Sequence, residues 1–206
     1  MNSLIGFIRL LIKFLTDVLA LLESEKKEEE EKIAISWIED FIPVGRNNRP
    51  GYAMSPKYIT IHNTGSPGAG SDAKAHSGYI KSDSAANKPV SWHFTVDDKV
   101  IYQHLPLSEN GWHSGDGVNG TGNRQSIGIE ICQHSDGDVV KIEENAQKLV
   151  AWLIENVDSL LPFPECMKTH QMWSGKFCPS VILSRPNGWE LFLSGVEKYI
   201  DKVVRK

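Results

Sequence analysis

Residues 170–179 read HQMWSGKFCP, which places an imidazole and a thiol eight positions apart, with Trp173, Ser174, Gly175 and Lys176 between them. A glycine before Cys178 and a proline after it mark a segment that can turn back on itself. Imidazole and thiolate are both zinc donors, and catalytic zinc commonly takes three protein ligands and leaves a fourth position open. A third donor, His62, ends the run KYITIH and is followed by Asn63-Thr64-Gly65, the start of a loop. A strand that opens into a loop is where a ligand can face a cleft. His62, His170 and Cys178 are therefore a candidate metal set drawn from two distant segments. A histidine at a strand end also serves as a hydrogen-bonded structural residue, so spacing alone leaves both readings open.

Several elements must position these groups. Lys57–His62 has the β-branched content of a strand, as do Trp92–Val96, Lys99–His104 and Ser126–Cys132. Asp97-Asp98 falls between two of these as a hairpin-like turn. Asp72–Lys81 reads as a helix capped by Ser71 or Asp72. Ala146, Leu149, Val150, Leu153 and Val157 have helical spacing within 142–157. Gly188–Val203 reads as a last helix, and residues 105–125 as a long Gly-, Asn- and Ser-rich loop. Strands interleaved with helices predict an α/β fold, a mixed central sheet flanked by helices. No internal repeat is present.

The N-terminal segment has a different composition. In MNSLIGFIRLLIKFLTDVLALL, read as a helix, Gly6, Arg9, Lys13, Thr16, Asp17 and Ala20 share an arc of roughly 100°. The remainder is almost wholly apolar. Its length is close to the roughly 20 residues of a bilayer span, but Arg9, Lys13 and Asp17 make a simple span costly. No Lys or Arg precedes the apolar run, and no small-residue cleavage site follows it, so a cleaved signal peptide fits poorly. An amphipathic helix over 1–22 that meets a membrane surface is one reading. Packing on the domain or on a second copy is the other. The charged run ESEKKEEEEKIA is a solvated helical linker, 23–40. A Pro-, Gly- and Asn-rich stretch then leads into a single domain, 41–206, with its boundary near 38–44.

The bulk numbers exclude several classes. A net charge of −4 argues against nucleic acid as a partner. Three cysteines cannot build a disulfide scaffold, and no C-x-x-C pair is present. The absence of H-E-x-x-H removes the commonest metallopeptidase signature.

Four stretches carry a resemblance: ITIHNTG (59–65), VSWHFTVDD (90–98), GWHSGDGVNGTGNRQSIGIEIC (111–132) and KTHQMWSGKFCP (168–179). Together, over residues 40–185, they resemble the zinc-dependent N-acetylmuramoyl-L-alanine amidases of the phage-lysozyme and peptidoglycan-recognition type, in particular bacillar cell-wall and prophage enzymes. The resemblance implies Zn²⁺ as cofactor with His62, His170 and Cys178 as its ligands. It implies Glu130 as the base near the metal and Lys176 as a cation over the reacting carbonyl. Some relatives carry a Tyr where this chain has Trp92; indole has no ionisable proton for that role, which shifts weight to Glu130. The implied reaction is hydrolysis of the amide between N-acetylmuramic acid and L-alanine, with peptidoglycan as partner and the cell wall or extracellular space as location. The enzyme would be exported or released by lysis.

The other residues have less pointed readings. Trp92, Asn63, Asn123 and Arg124 are candidates for the substrate groove, and Asn123-Arg124 equally for holding the loop. His113 is a candidate for contact with glycan or oxyanion, or for a loop hydrogen bond. His93 reads as a buried structural imidazole, and His76, His104 and His134 as surface or helix histidines. Glu130 could also be a salt-bridged core carboxylate. Cys132 and Cys166 are buried thiols or, in an oxidising compartment, a pair. Two alternatives stay beside the amidase reading: a non-catalytic peptidoglycan-binding protein on the same fold, and a zinc peptidase that cuts within the stem peptide. No cell-wall-binding repeat is recognisable after Cys178, so targeting is expected from the groove or from residues 1–22. The oligomeric state is not encoded in any feature above.

Overall fold

The computed structural model describes residues 2–30 and 32–206, with side chains for 5–23 and 32–206. Glu31, within the expected linker, lies outside the described residues. The chain divides into two compact units, residues 1–34 and 35–206.

The first unit is dominated by helix α1 (Asn2–Glu30), which takes in the apolar stretch and most of the charged run. From Ile5 to Leu22, eleven large apolar side chains are 45–70% exposed. Among the described residues no helix is long and apolar enough to cross a membrane.

The elements of the rest follow in chain order: β1 (Ile33–Ile35), β2 (Ile38–Glu39), β3 (Tyr58–Asn63), α2 (Ala73–Ile80), α3 (Asp83–Ala86), β4 (Phe94–Val96), β5 (Ile101–Gln103), α4 (Thr121–Gln125), β6 (Ser126–Ile131), α5 (Val139–Asn156), β7 (Met167–Thr169), α6 (His170–Ser174), α7 (Ser180–Leu183), α8 (Gly188–Glu197) and β8 (Val203–Arg205). Six strands form one sheet in the order β2-β5-β4-β6-β3-β7. The pair β4–β5 is antiparallel and the other neighbours are parallel, so the sheet is mixed as expected. Strand β2 lies inside the expected linker; Trp37, just before it, packs edge-on against Phe94 at 5.8 Å and Trp152 at 4.8 Å.

Side chains alternate across a strand, and the central pair β3–β6 uses this sharply. Ile59, Ile61, Ile127 and Ile129 are fully buried and share the core with Leu149, Leu153 and Phe192 from α5 and α8. The opposite set is Thr60, His62, Ser126, Gly128 and Glu130, with His62 and Glu130 facing each other in register. One face of the sheet thus holds the fold together and the other carries polar chemistry.

Boundaries follow local caps. Helix α2 begins after Asp72, which accepts from Ala75 N at 2.8 Å. Helix α5 begins three residues ahead of its expected start because Asp138 accepts from Val140 N and Lys141 N, both at 3.1 Å. The expected last helix stops at Glu197; Asp201 takes a left-handed conformation (φ 65°), which a continuing helix cannot absorb. The residues after it form β8, and Lys206 N donates to Ile35 O at 2.9 Å.

Candidate active site

Helix α6 answers why an imidazole and a thiol stand eight residues apart. Thr169 caps it, accepting from Met172 N at 3.3 Å, and His170 is its first residue. Gly175 ends it in the left-handed region (φ 79°), a conformation that glycine adopts at little cost. The chain then doubles back until Cys178 O accepts from Gln171 N at 3.1 Å. Cys178 is thereby carried to the side of His170, and both meet His62 at the end of β3. His62 Nδ1 lies 3.0 Å from His170 Nδ1 and 3.8 Å from Cys178 Sγ. All three donor atoms fall within 4.8 Å of one another, and all three residues are buried.

Hydrogen bonds decide which ring nitrogens are bare. Ser126 O can only accept, so His113 Nε2, 3.1 Å away, carries the proton. His113 Nδ1 is then an acceptor, with Ser114 Oγ at 3.0 Å and His62 Nε2 at 3.1 Å placed to donate to it. That leaves a lone pair on His62 Nδ1. The Ser114 backbone favours a proton on the His170 ring. With that proton on Nε2, the two Nδ1 lone pairs stand 3.0 Å apart and repel unless positive charge lies between them. A tetrahedral zinc with Zn–N of about 2.0 Å and Zn–S of about 2.3 Å gives N···N edges of about 3.3 Å and N···S edges of about 3.5 Å. The 3.0 and 3.8 Å separations of His62 from its two neighbours lie near those edges, so the donor set could hold such an ion.

The glycine-rich loop exists to hold His113. Asn123 Oδ1 accepts from His113 N at 2.9 Å and Ser114 N at 2.8 Å, while its Nδ2 donates to Gly117 O at 3.0 Å. Asp116 accepts from Gly122 N at 2.6 Å. Beneath the imidazole, Gly128 leaves room that a Cβ would take, only 2.8 Å from the His113 ring. Burial drives the imidazoles to their neutral form: His62 falls well below the usual histidine range, His113 to about 3 and His170 to about 4. Burial also pushes the Cys178 thiol up to about 11, a trend that a bound cation reverses.

Glu130 stands beside this cluster. Its Oε2 is buried without a hydrogen-bond partner, and burial raises its pKa to about 7, with the nearby Lys176 pulling the other way. It is not a salt-bridged core carboxylate, since no ion pair forms on it among the described residues. A cavity of about 1190 Å³ is lined by the three donors, Glu130 and Lys176.

The other expected site residues distribute unevenly. Trp92 lines the cavity, with its Nε1 donating to Thr95 Oγ1 at 2.7 Å. Asn63 and Asn123 also line it, but Asn63 Oδ1 accepts from Val181 N at 2.9 Å. His113 touches the cavity from beneath His62. Arg124 lies outside the lining, its guanidinium 4.3 Å over the Tyr52 ring. His93 is pinned at both nitrogens, donating to Glu109 O at 2.9 Å and accepting from Gly128 N at 3.0 Å. His104 and His134 are buried rather than surface residues; His104 sits just past β5, where its Nε2 meets Thr95 Oγ1 at 2.8 Å. Cys132, Cys166 and Cys178 are all free thiols. Sequence reasoning missed Gly128 and also Trp112, which lines the cavity. A glycine inside a strand signals a close approach, and that signal was available in SIGIEI.

Comparison with known proteins agrees with this geometry. The family model described as N-acetylmuramoyl-L-alanine amidase matches residues 52–181. The amidase CwlH of Bacillus subtilis is 54% identical over 157 residues, 76% of this chain and 59% of that protein. The amidase XlyA of the same organism is 52% identical over 164 residues, 79% of this chain and 51% of that protein. This chain thus spans only about half to three-fifths of the length of these curated relatives. The solved catalytic domain of XlyA superposes with a TM-score of 0.72 at 52% identity, covering 79% of this chain and 99% of that domain. With a match that begins ahead of β3 and runs past Cys178, the chain belongs to the N-acetylmuramoyl-L-alanine amidase family.

Proposed function

We propose that this protein hydrolyses the amide between N-acetylmuramic acid and L-alanine in bacterial peptidoglycan, using zinc held by His62, His170 and Cys178. The observation that supports this most is the convergence of two imidazole nitrogens and a thiol beside Glu130, whose pKa is raised to about 7. Zinc bound there supplies a Lewis acid that polarises the scissile carbonyl and the attacking water. Glu130 accepts the proton of that water and returns it to the departing alanine nitrogen, a task suited to a carboxyl with a pKa near neutral. Lys176 places positive charge where the carbonyl oxygen becomes negative; losing one such donor costs about 3 kcal/mol. His113 acts through His62 by fixing its tautomer. Trp92, Asn63 and Asn123 wall the substrate side.

Residues 41–206 carry this chemistry; of the expected linker 23–40, the part from Ile35 packs with that domain, so residues 23–34 act as the spacer. Residues 1–22 lie on the membrane surface and hold the enzyme near the wall. The exposed apolar face of α1 supports that placement. Flotation with lipid vesicles tests it: the full chain should rise with the lipid and residues 31–206 should not. Equal flotation of the two would remove the membrane role.

The reaction is tested by incubating the protein with peptidoglycan and following newly freed N-terminal L-alanine. Release should stop with a zinc chelator and return with zinc. Glu130→Gln should lower the rate at least about 100-fold while zinc content stays at one per chain. Retention on peptidoglycan without alanine release would favour a binding protein, and other new termini would favour a stem-peptide peptidase.

A further inference from the structure

The cavity wall carries an aromatic side chain at the point nearest the metal ligands in sequence. Phe177 stands between Lys176 and Cys178, lines the cavity and is 54% exposed. Its backbone is held from both sides. Gly175 N donates to Gln171 O at 2.9 Å, and Gln171 N donates to Cys178 O at 3.1 Å. Among the described residues no other ring or cation packs on Phe177. A large apolar side chain is thus about half exposed inside the cavity, one residue from a candidate ligand, where it can contact a bound group.

We propose that Phe177 is the platform on which the substrate's muramyl sugar ring stacks. The inference rests on the amidase reading above. In an N-acetylmuramoyl group the scissile carbonyl belongs to a lactyl ether on the sugar. Carbonyl carbon, methine carbon, ether oxygen and ring carbon are joined by three bonds, so the ring begins within about 4 Å of the reacting carbon. Adjacent residues have Cα atoms about 3.8 Å apart, so the side chain next to Cys178 works at the same range. A pyranose presents a C–H-rich face whose area matches a phenyl ring, and burying the two together removes apolar surface from water. On the other side of the scissile bond the first group is the alanine methyl, too small to cover that ring.

Binding separates this from hydrolysis. The full chain carrying Glu130→Gln, loaded with zinc, is titrated calorimetrically with N-acetylmuramoyl-L-alanine amide and with lactoyl-L-alanine amide, which lacks the sugar. The parent should bind the muramyl ligand more tightly. Adding Phe177→Ala should weaken the muramyl ligand about tenfold and the lactoyl ligand less than twofold, and Phe177→Trp should restore the difference. In turnover by the otherwise native chain, Phe177→Ala should raise KM and leave kcat within twofold. Equal affinity of the parent for the two ligands, or equal weakening of both by Phe177→Ala, would overturn the proposal. A sugar-dependent loss of binding in a protein that frees no alanine would instead overturn the hydrolytic reading and leave the stacking intact.

Discussion

At the residue scale, the centre depends on proton placement more than on the donors themselves. Ser126 O, His113 and His62 form a relay in which each hydrogen bond sets the direction of the next. His113→Phe keeps an aromatic ring, somewhat larger than imidazole, and removes both nitrogens, so His62 Nε2–H loses its acceptor and the ring its orientation. Partners of this kind are worth about 10- to 100-fold in metal affinity. Zinc affinity of His113→Phe, measured by competition with a chromogenic chelator, should fall by about that factor while far-ultraviolet circular dichroism is unchanged. An unaltered affinity would mean that His62 is oriented by packing alone.

At the element scale, α6 and its glycine stop form the device that joins two candidate ligands. Gly175 has a φ of 79°, and a Cβ added there would meet nothing within 4 Å, so alanine at this position faces backbone strain and no clash. That strain is about 1 kcal/mol. Gly175→Ala should lower the urea unfolding free energy by about that amount. It should also weaken zinc, because relaxing the left-handed residue moves Cys178 relative to His170. A loss of stability with zinc affinity intact would show that the turn yields elsewhere.

At the scale of the whole molecule, the fold keeps many imidazoles neutral and buried. Away from the metal ligands, burial lowers His93 to about 4 and His104 to about 3, whereas an unfolded chain protonates histidine near about 6.5. Between those values the unfolded state binds more protons, so stability rises with pH. The contribution is complete above about pH 6.5 and is lost as pH falls toward about 4. Urea midpoints should therefore drop between about pH 7 and pH 5, in the chelated protein as well as the zinc-loaded one. A midpoint that does not change over this range would contradict neutral burial of these rings.

Much of this was legible in the linear chain. The β-branched runs around Ile59–Ile61 and Ile127–Ile129, the Asp72 cap and the spacing of Leu149 and Leu153 specify strands and helices through local sterics and periodicity, which depend on near neighbours. The candidate donors His62, His170 and Cys178 were legible too, because imidazole, thiol and turn residues keep their chemistry wherever they are placed, and the structure brings these three together. What depended on tertiary structure was the set of partners. His104 and His134 read as surface residues because burial is a property of the sheet and helices around them. The role of His113 depends on a carbonyl 13 positions away and on the missing side chain of Gly128, and Arg124 was drawn to Tyr52 and away from the cavity wall. Sequence determined which groups this protein has for chemistry. The parallel register of β3 with β6 and the return of the chain after Gly175 decided which of them meet, because contacts between distant segments are set by packing and not by any local preference.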